Sequence, residues 1–184
     1  AQSLIVPSPF DYRRSVLLYL ADDIPDPTSH AYRDALEQTL IETIDATRGK
    51  ALVLFTSHAL LADMARAISG PLLDRGIVVL AQRRDGSPQQ LTERLRRERN
   101  VAVLGTSSFW EGVDVAGEAL SLLVITRLPF SVPTDPVFAA RSEAFDDAFV
   151  GYAVPQAVLR FKQGFGRLIR SSSDRGVCAV LDRR

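Results

Sequence analysis

Ala51-Leu52-Val53-Leu54-Phe55-Thr56-Ser57 is an unbroken apolar run that ends on two hydroxyls. A run of this length without polar alternation is the pattern of a strand buried on both faces. Ser57 follows as the N-cap of a helix over His58 to Ser69. The same grammar recurs on either side. Ile77 to Ala81, Val101 to Leu104, Ala119 to Thr126 and Val177 to Leu181 read as further strands. Ser15 to Leu20 reads as a short strand, closed by Pro25 and Pro27. Between the strands lie helical stretches. One runs from a cap at Thr28 or Ser29 to about Thr47, with Ala35, Leu36, Thr39, Leu40 and Ile44 inward and Gly49 ending it. Another covers Gln90 to Arg99 after a polar loop at Arg84 to Gln89, and two more cover Pro133 to Ala148 and Val154 to Arg170. Short apolar strands alternating with helices predict an α/β fold: a parallel sheet with helices on both faces.

The chain has 184 residues, 46% apolar and 24% charged, the balance of an ordinary globular protein large enough for one sizeable core. No apolar run approaches the roughly 20 residues that span a bilayer, so no membrane partner is expected. No signal peptide is visible, and the lone Cys178 excludes an internal disulfide or a cysteine metal cluster, which points to the cytoplasm. The chain starts on Ala1 and stops on Asp182-Arg183-Arg184 directly after a strand, so residues 1–184 are expected to be one domain of a larger protein. Net charge is zero but unevenly spread: residues 1–50 carry −3, residues 51–150 carry −2 and residues 151–184 carry +5. Neutrality argues against a protein that coats nucleic acid generally, and leaves room for a local anion site.

In parallel sheets the chemistry sits beyond the C-terminal strand ends. After the first quoted run, Thr56 and Ser57 combine hydroxyls with the free N–H groups of a helix start, which suits a phosphate; a plain N-cap is the simpler reading. Gly105 to Asp114 packs hydroxyls (Thr106, Ser107, Ser108), Phe109, the sole tryptophan Trp110, Glu111, Gly112 and Asp114 into ten positions. A core turn has no need of two carboxylates flanking a glycine, so this segment is read as functional. Arg127, after the strand ending near Ile125, either meets a phosphate or caps a strand end. In Gln163-Gly164-Phe165-Gly166-Arg167-Leu168-Ile169-Arg170, a helix would place Gln163, Arg167 and Arg170 on one face. Two glycines beside that face suggest close approach to the backbone, and two guanidiniums suit a polyphosphate. A solvated basic face accounts for the spacing equally well. No Gly-x-x-x-x-Gly-Lys-Ser/Thr phosphate loop is present, since Gly49-Lys50 is followed by Ala51 and position 44 is Ile. No acidic pair follows a strand to hold magnesium, and neither His30 nor His58 joins a metal-ligand cluster.

Gln-x-x-Gly-Arg-x-x-Arg at 163–170 resembles motif six of superfamily-two helicases. With Thr-Ser-Ser-Phe-Trp-Glu-Gly-Val-Asp at 106–114, Leu-Pro-Phe at 128–130, Ser8-Pro9-Phe10 and Leu181-Asp182-Arg183, it resembles the DinG/XPD branch over nearly the whole chain. The resemblance implies a RecA-like domain, a P-loop NTPase-type fold without its own phosphate loop, that is the second of two motor domains. The first RecA-like domain of the same polypeptide would bring the phosphate loop, the Mg2+ carboxylates and, in some members, an iron–sulfur cluster. It further implies that Arg170 is the arginine finger, with Arg167, Gln163 and Gly166 beside it. Glu111, Gly112 and Asp114 would couple ATP to DNA, and Thr56, Ser57, Thr106, Ser107 and Arg127 would meet single-stranded DNA. The implied activity is ATP-dependent 5′→3′ unwinding in DNA repair or replication, with the isolated chain inactive. An RNA helicase, a translocase that does not unwind, and a non-catalytic nucleotide- or phosphate-binding module are the other readings.

Overall fold

A computed structural model describes residues 10–106, 108–109, 120–169 and 171–184. Six strands are formed: β1 (Val16–Leu20), β2 (Ala51–Leu54), β3 (Val78–Ala81), β4 (Val101–Gly105), β5 (Leu122–Ile125) and β6 (Gly176–Val180). The described helices are α1 (Tyr12–Ser15), α2 (Tyr32–Ala46), α3 (His58–Leu73), α4 (Pro88–Arg97), α5 (Pro136–Ser142) and α6 (Val154–Phe165), the last continuing from a π-helical turn over Phe149–Ala153. The strands form one sheet in the order β1-β6-β5-β2-β4-β3, every pairing parallel. The expected α/β architecture is therefore present.

Period-two alternation along each strand builds two cores. On one face Val53, Phe55, Val79, Leu104, Val124 and Ala179 meet Leu36, Leu40 and Ile44 of α2 and Leu61, Ile68 and Leu72 of α3. On the other, Leu52, Leu54, Leu80, Val103, Leu123, Ile125 and Val180 meet Leu91 and Leu95 of α4, together with Phe109, Leu168 and Ile169. β2 to β5 lie between these layers and are almost wholly buried. β1 is different: it closes one edge of the sheet, and Leu17, Leu18, Tyr19 and Leu20 stay 42 to 66% exposed on both faces.

Several boundaries differ from expectation, each for a local reason. α2 starts at Tyr32, beyond both expected caps, because residues 26–29 close an Asx turn in which Asp26 accepts from the Thr28 N–H (2.8 Å) and hydroxyl (2.6 Å). α3 runs past Pro71 to Leu73 because Leu72 is fully buried. α4 starts at Pro88 inside the expected loop, because Ser87 and Gln90 form a capping box and Pro88 suits the first helical position. The expected Pro133–Ala148 helix shrinks to α5, capped by Asp135 on the Phe138 N–H at 2.8 Å. Asp147 then accepts from the Phe149 and Val150 N–H groups, which turns the chain into the π-helical segment. The last expected helix stops at Phe165 instead of Arg170, since Leu168 and Ile169 leave the helix to plug the second core.

Candidate functional site

Because all strands run the same way, their C-terminal ends share one edge of the sheet. The residues that follow them line up in strand order: Asp182 after β6, Thr126 and Arg127 after β5, Thr56 and Ser57 after β2, Thr106 after β4 and Gln82 after β3. At about 4.8 Å per strand the row is about 20 Å long. Strand order reverses about β2, where crevices form in such sheets. The sheet thus brings Thr56, Ser57, Thr106 and Arg127 together on adjacent strands. Ser57 caps α3, its hydroxyl accepting from the Leu60 N–H at 3.4 Å, while Thr56 is exposed.

Thr106 is buried and held from two sides. Gln82 Oε1 accepts from its N–H at 2.8 Å and from its hydroxyl at 3.1 Å. His58 Nε2 stands 3.1 Å from the same hydroxyl. With the hydroxyl proton given to Gln82, His58 must donate, which fixes its Nε2–H tautomer. Gln82 Nε2 donates to Ser108 Oγ at 2.8 Å. Burial, then the charge of nearby Arg83, holds the His58 imidazole below its ordinary pKa, which favours its neutral form. A methyl group at Gly105 would collide with the Phe109 ring, so glycine is what lets this turn fold onto β4.

At the other end of the row Tyr32 ties two strand ends together. Its hydroxyl donates to the Thr126 carbonyl and lies 3.1 Å from that of Leu181. Burial pushes the phenol up to about 12, so it remains a donor. The Arg127 guanidinium stacks on the Tyr32 ring, 5.4 Å from its centre, and donates to the Pro27 carbonyl. Arg127 therefore braces its loop from within. Asp182 accepts from the Leu128 N–H at 2.9 Å and pairs with Arg184. Its burial works against ionisation, but the hydrogen bonds from Arg184 and Leu128 prevail and hold its carboxyl below the usual range.

The Gln163–Arg167 segment occupies the opposite edge, where strands begin. α6 ends next to α1, Phe165 against Tyr12 with ring centres 5.5 Å apart. A methyl at Gly176, the first residue of β6, would strike the Leu168 side chain and the Ser121 carbonyl just before β5. Gln163 is exposed in the last turn of α6, and Arg167 is half-buried in the turn that follows, so the two do not share a continuous helix face. Gly166 ends the helix with φ −62, and the nearest atom to an added Cβ is the Lys162 carbonyl oxygen of its own helix, at 3.2 Å. Ser107, Glu111, Gly112, Asp114 and Arg170 lie outside the described residues, as does Trp110. Among the described residues no group of three His, Cys, Asp or Glu side chains could hold a metal ion, and no helix is long and apolar enough to cross a membrane.

A model of the helicase C-terminal domain matches residues 40–184. The chain belongs to the helicase C-terminal domain family. Over its whole length this helicase domain is 40% identical to the ATP-dependent DNA helicase YoaA of Escherichia coli, covering 29% of that protein. It is 38% identical to the ATP-dependent helicase DinG of Mycobacterium tuberculosis, covering 28% of it. It is 34% identical to a Bacillus subtilis protein named 3'-5' exonuclease DinG, covering 20% of it. The domain thus spans less than a third of each of these relatives. Its fold matches a solved XPD helicase with a TM-score of 0.70 at 18% identity, covering 92% of this chain and 32% of that one. Sequence reasoning passed over Gln82 and placed His58 only outside any metal-ligand cluster. The signal for Gln82 was positional, since it is the polar residue directly after a strand on the edge that carries the other candidates.

Proposed function

We propose that this domain is the second motor unit of an ATP-dependent DNA helicase. The observation that carries the reading is the family membership combined with two separate polar edges on one rigid sheet. Gln163, Arg167 and Arg170, with Gly166, are the residues that meet the γ-phosphate of ATP–Mg2+ held by a first RecA-like domain of the same polypeptide. The guanidiniums and the Gln163 amide are a donor set that fits the anionic end of a nucleotide. Glu111, Gly112 and Asp114 couple the nucleotide to DNA. Bound ATP supplies the cleavable phosphoanhydride. The arginines stabilise the charge that develops on it, and closure of the two domains around it makes the movement depend on nucleotide state. Thr56, Ser57, Thr106, Ser107 and Arg127 line the path of single-stranded DNA and hold its backbone through hydroxyls and amides, without reading bases. Movement is 5′→3′, in the cytoplasm, in DNA repair or replication. Any iron–sulfur cluster belongs to the first domain.

The test compares the purified domain with its full-length parent. The domain alone is expected to hydrolyse no ATP, and the parent to hydrolyse it faster with single-stranded DNA. Turnover by the isolated domain would overturn the shared site. Because one relative is named an exonuclease, unwinding of 5′-tailed DNA and RNA duplexes is assayed apart from turnover. Turnover without unwinding would leave a translocase, and unwinding of RNA alone an RNA helicase.

A further inference from the structure

The connection from β4 to β5 leaves the C-terminal edge at Thr106 and must return to the other edge, because the two strands are parallel. It arrives at Ser121, whose carbonyl accepts from the Val177 N–H at 2.9 Å and lies beside the Leu168 side chain, one residue from Arg167. One covalent segment therefore joins the candidate DNA edge to the candidate nucleotide edge. Its first turn is clamped chiefly by Gln82, with His58 on the Thr106 hydroxyl. Gln82 receives both the N–H and the hydroxyl of Thr106, and donates to Ser108. The Gln82 backbone N–H donates to the Leu104 carbonyl at 3.0 Å, so the clamp is anchored in the sheet. The Thr106 N–H has no strand partner to fall back on beyond β4, and losing a buried partner costs a hydrogen-bonding group its full desolvation.

We propose that Gln82 is the positioning residue that couples DNA at the C-terminal edge to ATP turnover, by fixing the origin of the segment that links the two edges. This rests on the proposed function, and the experiment separates the two. In the full-length parent, Gln82→Ala is expected to reduce stimulation of ATP turnover by single-stranded DNA about tenfold, leaving DNA-free turnover and the KM for ATP within about twofold. Hydrogen exchange across residues 104–109 is expected to quicken about tenfold in the same variant. Gln82→Glu keeps both bonds to Thr106, and the Ser108 hydroxyl can turn to donate where it accepted, so the variant is expected to retain most of the stimulation. Wild-type stimulation in Gln82→Ala overturns the coupling, as does an equal fall in basal and stimulated turnover, which marks a merely structural role. Unchanged exchange overturns the clamp. A wild-type parent without DNA stimulation overturns the proposed function instead, and the exchange measurement then still decides whether Gln82 holds the turn.

Discussion

The two edges of this sheet are built from different chemistry. Among the described residues, the candidate DNA contacts of the C-terminal edge are the hydroxyls of Thr56, Ser57 and Thr106, with Arg127 folded onto Tyr32 and Asp182 paired with Arg184. The opposite edge holds Gln163 and Arg167 near the short α1 helix, within the part of the chain that carries the +5 excess. Neutral hydrogen-bonding groups suit a polymer that must be gripped and released repeatedly, because no single contact is strong. Guanidiniums suit one compact, multiply charged group whose charge changes on cleavage. The strand length of about 15 Å separates them. One rigid sheet can thus serve two ligands without mixing their recognition.

Replacing Arg170 by Ala in the full-length parent tests this division most severely. Turnover should fall by about 10³ or more, while single-strand affinity, measured by fluorescence anisotropy, stays close to wild type. An equal loss of DNA binding would make Arg170 a DNA contact instead. The converse change, Thr56→Ala with Ser57→Ala, should weaken single-strand binding by about tenfold to a hundredfold and leave DNA-free turnover intact. Unchanged affinity across a salt series would remove both residues from the DNA path. Part of any effect on thermal stability belongs to the lost Ser57 cap, about 1 kcal/mol.

Smaller effects sharpen the picture within the C-terminal edge. Tyr32→Phe removes the donor shared by the Thr126 and Leu181 carbonyls, and should cost about 1–3 kcal/mol in denaturant unfolding. An unchanged midpoint would show that the strand ends need no tie. His58 gives a pH signature. Its folded pKa lies below the ordinary 6.5, so the unfolded state binds more protons and stability rises with pH. That contribution is complete above about 6.5 and is lost as pH falls through the lowered folded value. His58→Gln should flatten the slope in this window, and a slope that survives the substitution would assign it to other groups.

The strands were legible because burial on both faces demands unbroken apolar runs, and those runs are easy to see in Ala51–Phe55 or Val101–Leu104. Their C-terminal ends then located Thr56, Ser57 and Thr106 by topology alone. The Gln163–Arg170 stretch was legible as chemistry but not as geometry. Helical spacing took Leu168 and Ile169 for helix positions, whereas their burial in the second core pulls the chain out of the helix after Phe165. It also sits at the edge that the strand-end rule does not examine. Gln82 carried only a positional signal: a lone glutamine has no motif, and its role in the turn arises from a partner 24 residues away.

The bare edge of β1 has a practical consequence. Its leucines face outward on both sides, beside backbone groups that no seventh strand satisfies among the described residues. Such an edge is a template for pairing with another copy. Pairing of copies along this edge is expected to limit the concentration at which the isolated domain can be handled. Charged substitutions at Leu17 and Leu18, in the body of β1, are expected to raise its solubility.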